Sequence, residues 1–456
     1  MDATLSSTTH DYLLLLLPAS ATFLSPLLAA LLVVVASLLW LFPGGPAWAL
    51  RPDTARDILY GAAFADRPVK DAARGMLFHR AMGFAPSGGD YWRALRRVSG
   101  SHVFSPRCVA ASAPRRRAIG ERMLERLAAD GEEAVVGMRR VLHAASLEHV
   151  MDTVFGTTRY DEEVEAMVKE GYDLLGMFNW GDHLPLLKWL DLQGVRRRCR
   201  ALVRRVDVFV RTIIDEHKQR KRSADDDENG DFVDVLLGLQ GEDKMTESDM
   251  VAVLWEMIFR GTDTVAILLE WIMARMVLHR DIQAKAQEEL DAIVGRGRAV
   301  SDADVAGLRY LRCIVKETLR VHPPGPLLSW ARLAVHDARV GGHHVPAGTT
   351  AMVNMWAIAH DPEIWPEPDA FRPERFAGEE GSDGVGGDLR LAPFGAGRRV
   401  CPGKALALAT VHPWLAQLLH RFDWEPVAGV DVDLSERLNM SLEMEKPLVC
   451  RAKPRW

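Results

Sequence analysis

Apolar residues recur every three or four positions along most of the chain, a spacing that predicts amphipathic helices. The pattern predicts helices over 196–222, 246–279, 281–294 and 308–321. The second of these helices would be roughly 50 Å long at a rise of 1.5 Å per residue. Segments rich in Val, Gly and Pro within 338–353 predict short strands. The fold class is therefore mostly α with a minor β component.

The N-terminal region begins with a long uncharged stretch. Residues 13–42 contain no charged side chain, and 30 such residues exceed the length of one membrane span. Basic residues begin only at Arg51, so the positive-inside rule places the remainder of the chain in the cytosol. We expect 1–46 to form a membrane anchor with a Pro/Gly hinge, followed by a catalytic domain over 47–456. A cleaved signal peptide is the alternative interpretation.

Composition excludes some classes of function. The formal net charge of −6 argues against a nucleic-acid-binding protein, which usually carries an excess of basic residues. The five cysteines are scattered, with an odd count and no CxxC pair. This distribution favours a reducing compartment over a disulfide framework or a zinc site. We therefore expect any redox partner to be cytosolic.

The segment FGAGRRVCPG at 394–403 surrounds one cysteine with the residue types that a haem thiolate needs. Gly397 and Gly403 are expected to let the loop turn and approach a macrocycle. Arg399 offers a cation for a haem propionate, and Phe394 can shield the sulfur from water. Cys401 is then the axial ligand of the iron. The alternative is a buried cysteine that acts as a small apolar side chain. The loop resembles the cysteine loop of cytochromes P450.

A polar segment, RGTDT at 260–264, interrupts the long apolar helix. Gly, Thr and Asp are poor residues for a helix interior, so we expect the turn to be locally widened there. Thr264 is expected to hold a hydrogen bond beside the haem iron, and Asp263 to relay protons from solvent. A polar turn on a buried helix, without a catalytic role, is the alternative interpretation.

The resemblance to cytochromes P450 assigns roles to further residues. The order E-x-x-R, then P-E-R-F, then the cysteine loop implies that Glu317, Arg320 and Arg375 form a structural ion-pair triad behind the haem. The sequence WRALR resembles the family's W-x-x-x-R element, which implies that Trp92 and Arg96 bind a propionate. A further arginine, five residues before Asp337, is implied to do the same. That residue is Arg332.

Several segments, among them FADRPVK and FRGTDTVA, resemble the plant plastochron/KLUH-type cytochromes P450, which are linked to organ size and growth timing. The resemblance implies an endoplasmic-reticulum monooxygenase that contains haem b and receives electrons from NADPH through cytochrome P450 reductase. It would insert one atom of O2 into a C–H bond of a lipophilic, fatty-acid-like substrate. Core packing explains each apolar candidate for the substrate pocket equally well. Those candidates are Phe78, Phe84, Met257, Ile258, Leu327, Leu328, Met440 and Leu442.

Two features depart from the family pattern. Only residues 47–51 lie where relatives carry helix A and the first strands of the main sheet, so a strand edge is expected to be exposed. Pro413 falls inside the helix after the cysteine loop, where proline costs roughly 3 kcal/mol or bends the helix. The alternative function is therefore a haem-deficient, membrane-anchored pseudo-enzyme. A P450 that rearranges peroxides is a third hypothesis, which Thr264 and Asp263 disfavour.

Overall fold

We describe the protein from a computed structural model. The described residues are 47–129, 134–158, 162–183, 189–223, 230–327, 331–378 and 388–456. The predicted membrane anchor at 1–46 lies outside these ranges. Within them, no helix combines the length and the apolar character that a membrane crossing needs.

Helices make up most of the described chain, as predicted. In chain order, the first group is α1 (Pro52–Tyr60), α2 (Asp71–Gly75), α3 (Asp90–His102), α4 (Pro106–Ala111), α5 (Ala113–Ala129), α6 (Met138–Phe155), α7 (Glu162–Gly176) and α8 (Trp180–His183). The second group is α9 (Val195–Ser223), α10 (Phe232–Gly238), α11 (Glu247–Leu278), α12 (Arg280–Ile293), α13 (Asp302–Val305), α14 (Arg309–Val321), α15 (Met355–Ala359) and α16 (Lys404–Arg421). The four helices predicted from periodicity correspond to α9, α11, α12 and α14.

Short strands form small sheets around these helices. The strands are β1 (Ala47–Ala49), β2 (Ala134–Gly137), β3 (Arg332–Leu333), β4 (Ala338–Val340), β5 (His343–Val345), β6 (Thr350–Val353), β7 (Phe422–Pro426), β8 (Glu436–Asn439), β9 (Ser441–Met444) and β10 (Val449–Pro454). Their orders are β1-β6-β3 and β2-β10-β7, with the hairpins β4-β5 and β8-β9. The pairs β4-β5, β3-β6, β2-β10 and β7-β10 are antiparallel. The strands predicted within 338–353 are thus confirmed as β4, β5 and β6.

Helix α11 belongs to both large hydrophobic clusters found among the described residues. Its first half packs in a cluster with α6, α7 and α9, which we call the Trp255 cluster. Its second half packs in a cluster with α5, α12, α14 and α16, which we call the Trp271 cluster. Both tryptophans are fully buried. The polar segment at 260–264 lies between the two clusters, so it is the place where the buried helix meets polar surroundings.

The prediction of a widened turn in α11 is wrong. The helix is α-helical without interruption from Glu247 to Leu278. The Thr262 hydroxyl donates a hydrogen bond to the Ile258 carbonyl one turn earlier, at 2.8 Å. Threonine satisfies its hydroxyl in this way inside a helix. Packing of the apolar residues on both sides therefore outweighs the low helix propensity of the segment.

The structure shows the two departures from the family pattern, the short segment 47–51 and the proline at 413. Only Leu50 and Arg51 separate β1 from α1, so no helix lies between them. Residues 47–49 nevertheless supply a strand at the edge of its sheet, and the Ala49 carbonyl accepts a hydrogen bond from the Asn354 amide at 2.9 Å. Helix α16 continues past Pro413 to Arg421, with the proline buried inside it. The interior proline is thus accommodated without ending the helix.

The structure brings the three residues of the predicted ion-pair triad together. Glu317 receives bidentate hydrogen bonds from Arg320, at 2.8 and 2.9 Å, and the Arg375 Nε lies 3.2 Å from the same carboxylate. Glu317 and Arg320 are completely buried. Arg320 also donates to the Ala359 and Ala370 carbonyls, at 2.8 and 3.2 Å. The triad therefore joins α14 to the segments that lead to the cysteine loop.

We expect Glu317→Gln to lower the free energy of unfolding by roughly 3–5 kcal/mol, because it leaves buried guanidinium charge without a counter-ion. Thermal or urea unfolding measures the change. Glu374→Gln is the matched control, since Glu374 is exposed and pairs with Lys285 at the surface at 2.8 Å. Such a surface pair contributes about 1 kcal/mol or less. Equal losses in the two variants would contradict a stabilising role for the triad.

Candidate active site

A single cavity contains most of the residues to which the sequence assigned chemistry. Its wall includes Cys401 and Phe394 from the cysteine loop and Thr264 from α11. Cys401 and Thr264 are exposed, and the space they face is this cavity. Trp92 and the predicted propionate-binding arginines line it as well. Those arginines are Arg96, Arg332 and Arg399.

The cysteine loop is a series of tight turns closed by backbone hydrogen bonds. The Cys401 amide donates to the Phe394 carbonyl at 2.9 Å, and the Val400 amide donates to the Gly397 carbonyl at 3.0 Å. Gly395 and Gly397 have φ of +70° and +68°, in the left-handed region that favours glycine. At Gly397, a Cβ atom would lie 2.1 Å from the Leu59 carbonyl oxygen of α1. Glycine is therefore required here by the close approach of α1.

Gly403 ends the cysteine loop, and its expected part in letting the loop approach a macrocycle stays a prediction. Its φ is −85°, so it needs no left-handed conformation, and it is the N-cap of α16. A Cβ atom there would lie 3.3 Å from the Phe104 ring, with space for only a small residue. Its amide is a hydrogen-bond donor to the Cys401 sulfur that lowers the pKa of the thiol. The loop thus aims one backbone N–H at the sulfur, as a thiolate ligand requires.

Arg399 is buried and joins the cysteine loop to the segment 65–85. Its guanidinium donates to the carbonyls of Ala65 and Ala85, at 3.1 and 2.6 Å, and to those of Met82 and Gly83, both at 3.3 Å. It stacks over the Trp92 ring, with 4.9 Å from the guanidinium carbon to the ring centroid. Many of its donors are therefore already used to position the loop that it belongs to.

Trp92 and Arg96 lie on one face of α3, beside the cysteine loop. The Trp92 indole N–H donates to the Met82 carbonyl at 2.9 Å, and Arg96 donates to the Val400 carbonyl at 3.0 Å. Both groups thus hold the backbone around the cavity. Whether they also bind a propionate, as the family resemblance implies, stays a prediction.

Sequence reasoning missed three charged residues of the cavity wall, namely Arg67, Glu256 and Arg260. Glu256 is buried on α11 and accepts a hydrogen bond from the Gly83 amide at 2.8 Å. Arg260 follows it by four residues, where an acid and a base attract each other along a helix. Both arginines lie in segments of family-like wording, FADRPVK and FRGTDTVA. The resemblance of these two segments to the family was the signal by which sequence reasoning could have found the two arginines.

The cavity is strongly cationic. Desolvation and the neighbouring Arg332, Arg260 and Arg399 lower the pKa of Arg67 well below its usual range. Desolvation and Arg399 lower the pKa of Arg332 to about 10. Although the Cys401 thiol is exposed to the cavity, it lies deep within the protein, and this desolvation raises its pKa, while the Gly403 amide and the charges of Arg260 and Arg96 lower it.

These groups fit haem b. Clustered buried guanidinium groups call for anionic partners, and haem carries two carboxylates. A thiol that opens into the same cavity supplies the iron ligand. Cys401 would hold the iron, and the arginines around Trp92 would hold the propionates.

Thr264 and Asp263 are adjacent in sequence but face different surroundings. Thr264 lines the cavity, whereas Asp263 is not among the lining residues. The Asp263 Oδ1 lies 3.3 Å from the Nδ1 of His143 on α6. Burial and the nearby Glu443 raise the pKa of Asp263 to about 7, against the opposing effect of Arg139. A carboxyl group with that pKa exchanges protons near neutral pH, as a proton relay must.

Two of the predicted substrate-pocket residues, Met257 and Met440, line the cavity. Phe78, Phe84 and Ile258 are buried in the Trp255 cluster instead. For those three residues, core packing was the correct interpretation. Leu328 lies outside the described residues.

We expect Gly397→Ala to reduce the haem-to-protein ratio several-fold, because the new methyl group collides with the Leu59 carbonyl and the backbone is strained at positive φ by about 1–3 kcal/mol. Haem content and the reduced carbon-monoxide difference spectrum measure the effect. Gly378→Ala is the control, since nothing lies within 4 Å of a Cβ atom there. Normal haem content in Gly397→Ala would contradict this account of the loop.

Comparisons with known proteins identify the family. The family model described as cytochrome P450 matches residues 47–451. Cytochrome P450 78A5 of Arabidopsis thaliana is 56% identical over 89% of this chain and 80% of its own length. Cytochrome P450 78A1 of Zea mays is 56% identical over 89% of this chain and 77% of its own length. Flavonoid 3'-monooxygenase of Arabidopsis thaliana is 38% identical over 87% of this chain and 80% of its own length.

A solved structure of a zebra fish cytochrome P450 with progesterone is similar to this fold. The TM-score is 0.75, with 26% identity over 91% of this chain and 95% of that one. The predicted cytochrome P450 fold is therefore confirmed. The chain belongs to the cytochrome P450 family, within the 78A group of plant enzymes, and is a haem b monooxygenase that uses O2 and electrons from NADPH supplied through a reductase.

Proposed function

We propose that the enzyme oxygenates a C–H bond of a fatty-acid-like substrate whose carboxylate pairs with Arg260. One observation carries this proposal: Arg260 and Thr264 line the same cavity as Cys401. The two residues are four positions apart on α11 and therefore share a helix face. A substrate held by Arg260 would lie beside the Thr264 hydroxyl and within the cavity onto which Cys401 opens.

The rest of the wall supports a lipophilic substrate. It is largely apolar, with a few charged groups among aliphatic, aromatic and thioether side chains, which is typical of pockets for small apolar ligands. The apolar lining residues on the α11 side are Val154, Met257, Phe259, Val265, Leu268 and Met440. An alkyl chain would gain about 0.8 kcal/mol for each CH₂ group that it buries there.

Charge balance supports an anionic group on the substrate. Five arginines and one glutamate line the cavity. The two propionates of haem would leave an excess of positive charge, which is costly in a desolvated interior. A substrate carboxylate would offset that excess. Arg260, on the helix that also presents Thr264, is the arginine placed to receive it.

Each side chain has a defined task in this proposal. Haem, when bound, would supply the iron chemistry that activates O2, and the Cys401 thiolate would hold that iron. The Thr264 hydroxyl donates a hydrogen bond within the cavity. Asp263, on the protein side of α11, returns a proton to that hydroxyl. The apolar wall limits the water that competes for these protons.

The location and the biological role are part of the same proposal. We propose that residues 1–46 anchor the protein in the endoplasmic reticulum membrane, where cytochrome P450 reductase also resides. We propose further that the product acts in a pathway that regulates growth and organ size. The resemblance to plastochron/KLUH-type enzymes supports both statements. The described residues contain nothing that favours the alternative of a pseudo-enzyme.

Cys401→Ala is expected to abolish the thiolate-type Soret band of the reduced carbon-monoxide complex, together with NADPH-dependent oxygenation, because no other thiol lines the described cavity. Cys108→Ala is the control and should retain both properties, since Cys108 is not among the lining residues. A surviving Soret band in Cys401→Ala would refute the ligand assignment. Its absence from the unmodified chain would favour the pseudo-enzyme.

Arg260→Gln is expected to weaken binding of dodecanoic acid by about tenfold or more, since a hydrogen bond to a charged group contributes about 1.5–3 kcal/mol. Binding of dodecan-1-ol, which has the same chain without the charge, should be unchanged. Optical difference titrations of the haem protein measure both affinities. Arg260→Lys should recover part of the lost affinity for the acid.

Arg296→Gln is the matched control for the loss of one arginine charge, because Arg296 is 64% exposed and pairs with Asp291 at the surface. Equal weakening of acid and alcohol binding by Arg260→Gln would show that Arg260 shapes the cavity without recognising a carboxylate. A loss of haem in that variant would show that Arg260 binds a propionate instead.

A further inference from the structure

A side of α11 that does not line the cavity carries Asp263, which lies in a connected group of ionisable side chains. His143 and Arg139 lie four residues apart on α6 and face α11. The Arg139 guanidinium lies 2.8 Å from Glu270 of α11 and 3.4 Å from Glu443 of β9. Glu443 in turn pairs with Arg437 of β8 at 2.5 Å. The group therefore extends from the buried helix to the protein surface.

Within this group, His143 makes the direct contact with Asp263. Its Nδ1 lies 3.3 Å from the Asp263 Oδ1, and the two side chains are only 22% and 14% exposed. Its other ring nitrogen, Nε2, is buried and has no hydrogen-bond partner among the described residues. A buried polar atom without a partner is costly, so a water molecule is the expected partner of this nitrogen.

We propose that His143 relays protons from water to Asp263, and through it to the Thr264 side of α11. A water molecule at Nε2 that carries an extra proton from solvent gives that proton to Nε2 and remains as neutral water, while the Nδ1–H bond breaks and its proton passes to the Asp263 carboxylate. The imidazole is neutral before and after the transfer and ends as its other tautomer. This inference rests on the proposed function, since it supplies the proton that Asp263 returns to Thr264.

The electrostatics of the surroundings support a neutral imidazole beside a carboxyl group that titrates near neutral pH. Burial and Arg139 lower the pKa of His143 to about 4, so the ring is neutral at pH 7. Burial and Glu443 raise the pKa of Asp263 to about 7. The charged and titratable groups that face the pair are Arg139 on α6, Glu443 on β9, and Tyr172 on α7, whose pKa Asp263 helps to raise. A neutral imidazole can both accept and donate a proton, as a relay requires.

A competing route leads through Glu443. This carboxylate is 13% exposed and is linked to the surface through Arg437, whose side chain is 55% exposed. Protons that entered there would reach Asp263 without passing through His143. Variants of the two residues separate the routes.

His143→Gln keeps a polar side chain but cannot accept and donate a proton in one step. We expect it to divert electrons from product to hydrogen peroxide and to lower product per NADPH by about tenfold or more. Oxygenation should also show a larger solvent deuterium isotope effect. The reduced carbon-monoxide Soret band should stay unchanged, since His143 does not line the cavity. His344→Gln, at an exposed hairpin position, is the control and should couple normally.

An infrared titration provides a readout that does not depend on turnover. The carboxyl C=O stretching band of Asp263 should titrate near pH 7 and be absent in Asp263→Asn. It should shift in frequency in His143→Gln, because the contact with the imidazole is lost. An unchanged band in that variant would overturn the contact on which the relay depends.

The outcomes separate failure of the relay from failure of the proposed function. If Asp263→Asn uncouples the reaction but His143→Gln does not, the relay is wrong and the role of Asp263 stands. If Asp263→Asn and Thr264→Ala both couple normally, the proposed proton delivery itself is wrong. If the losses in His143→Gln and Asp263→Asn simply add in the double variant, the two residues act independently and the relay is overturned. Loss of coupling in Glu443→Gln with normal coupling in His143→Gln would assign the path to Glu443.

Discussion

The burial of α11 is the constraint on which the rest of the structure depends. A helix of 32 residues that passes through two hydrophobic clusters must be apolar on nearly every face. Its polar segment 260–264 lies where the clusters separate. Outside that segment, buried Glu256 accepts a hydrogen bond from the Gly83 amide, and buried Glu270 pairs with Arg139. The active-site cavity is also located at the segment 260–264, because a cavity that contains polar groups has to lie between packed apolar regions and not within one of them.

The cysteine loop has its shape because distant segments hold it from outside. Gly397 passes against the Leu59 carbonyl of α1, and Arg399 binds four carbonyls between residues 65 and 85. Arg96 of α3 holds the Val400 carbonyl next to the cysteine. These contacts join parts of the chain more than 300 residues apart. Because they form only when the fold is complete, the position of Cys401 and the stability of the fold are coupled.

Sequence reasoning predicted the features that depend on residues close together in the chain. The helices with clear periodicity, the strands at 338–353 and the residues of the cysteine loop all follow from local patterns. The prediction of a widened turn in α11 was wrong, because the helix propensity of a few residues contributes less to stability than the packing of the helix in two clusters. Phe78 and Phe84 were candidates for the pocket, with core packing as an equal alternative, because apolar character does not distinguish a pocket wall from a core. Sequence reasoning assigned no role to Arg260, because its proposed role depends on the cavity that it lines, and the sequence does not show that cavity.

The neighbouring residues Asp263 and Thr264 show how one helix can separate two environments. Successive residues of an α-helix point about 100° apart, because a turn contains 3.6 residues. Thr264 therefore faces a largely apolar cavity, which limits the access of water. Asp263 faces a cluster of ionisable groups that extends to the surface, where protons are abundant. The backbone of α11 forms the wall between them, so under the proposed function a single turn of helix would admit protons to the reaction while it keeps solvent out.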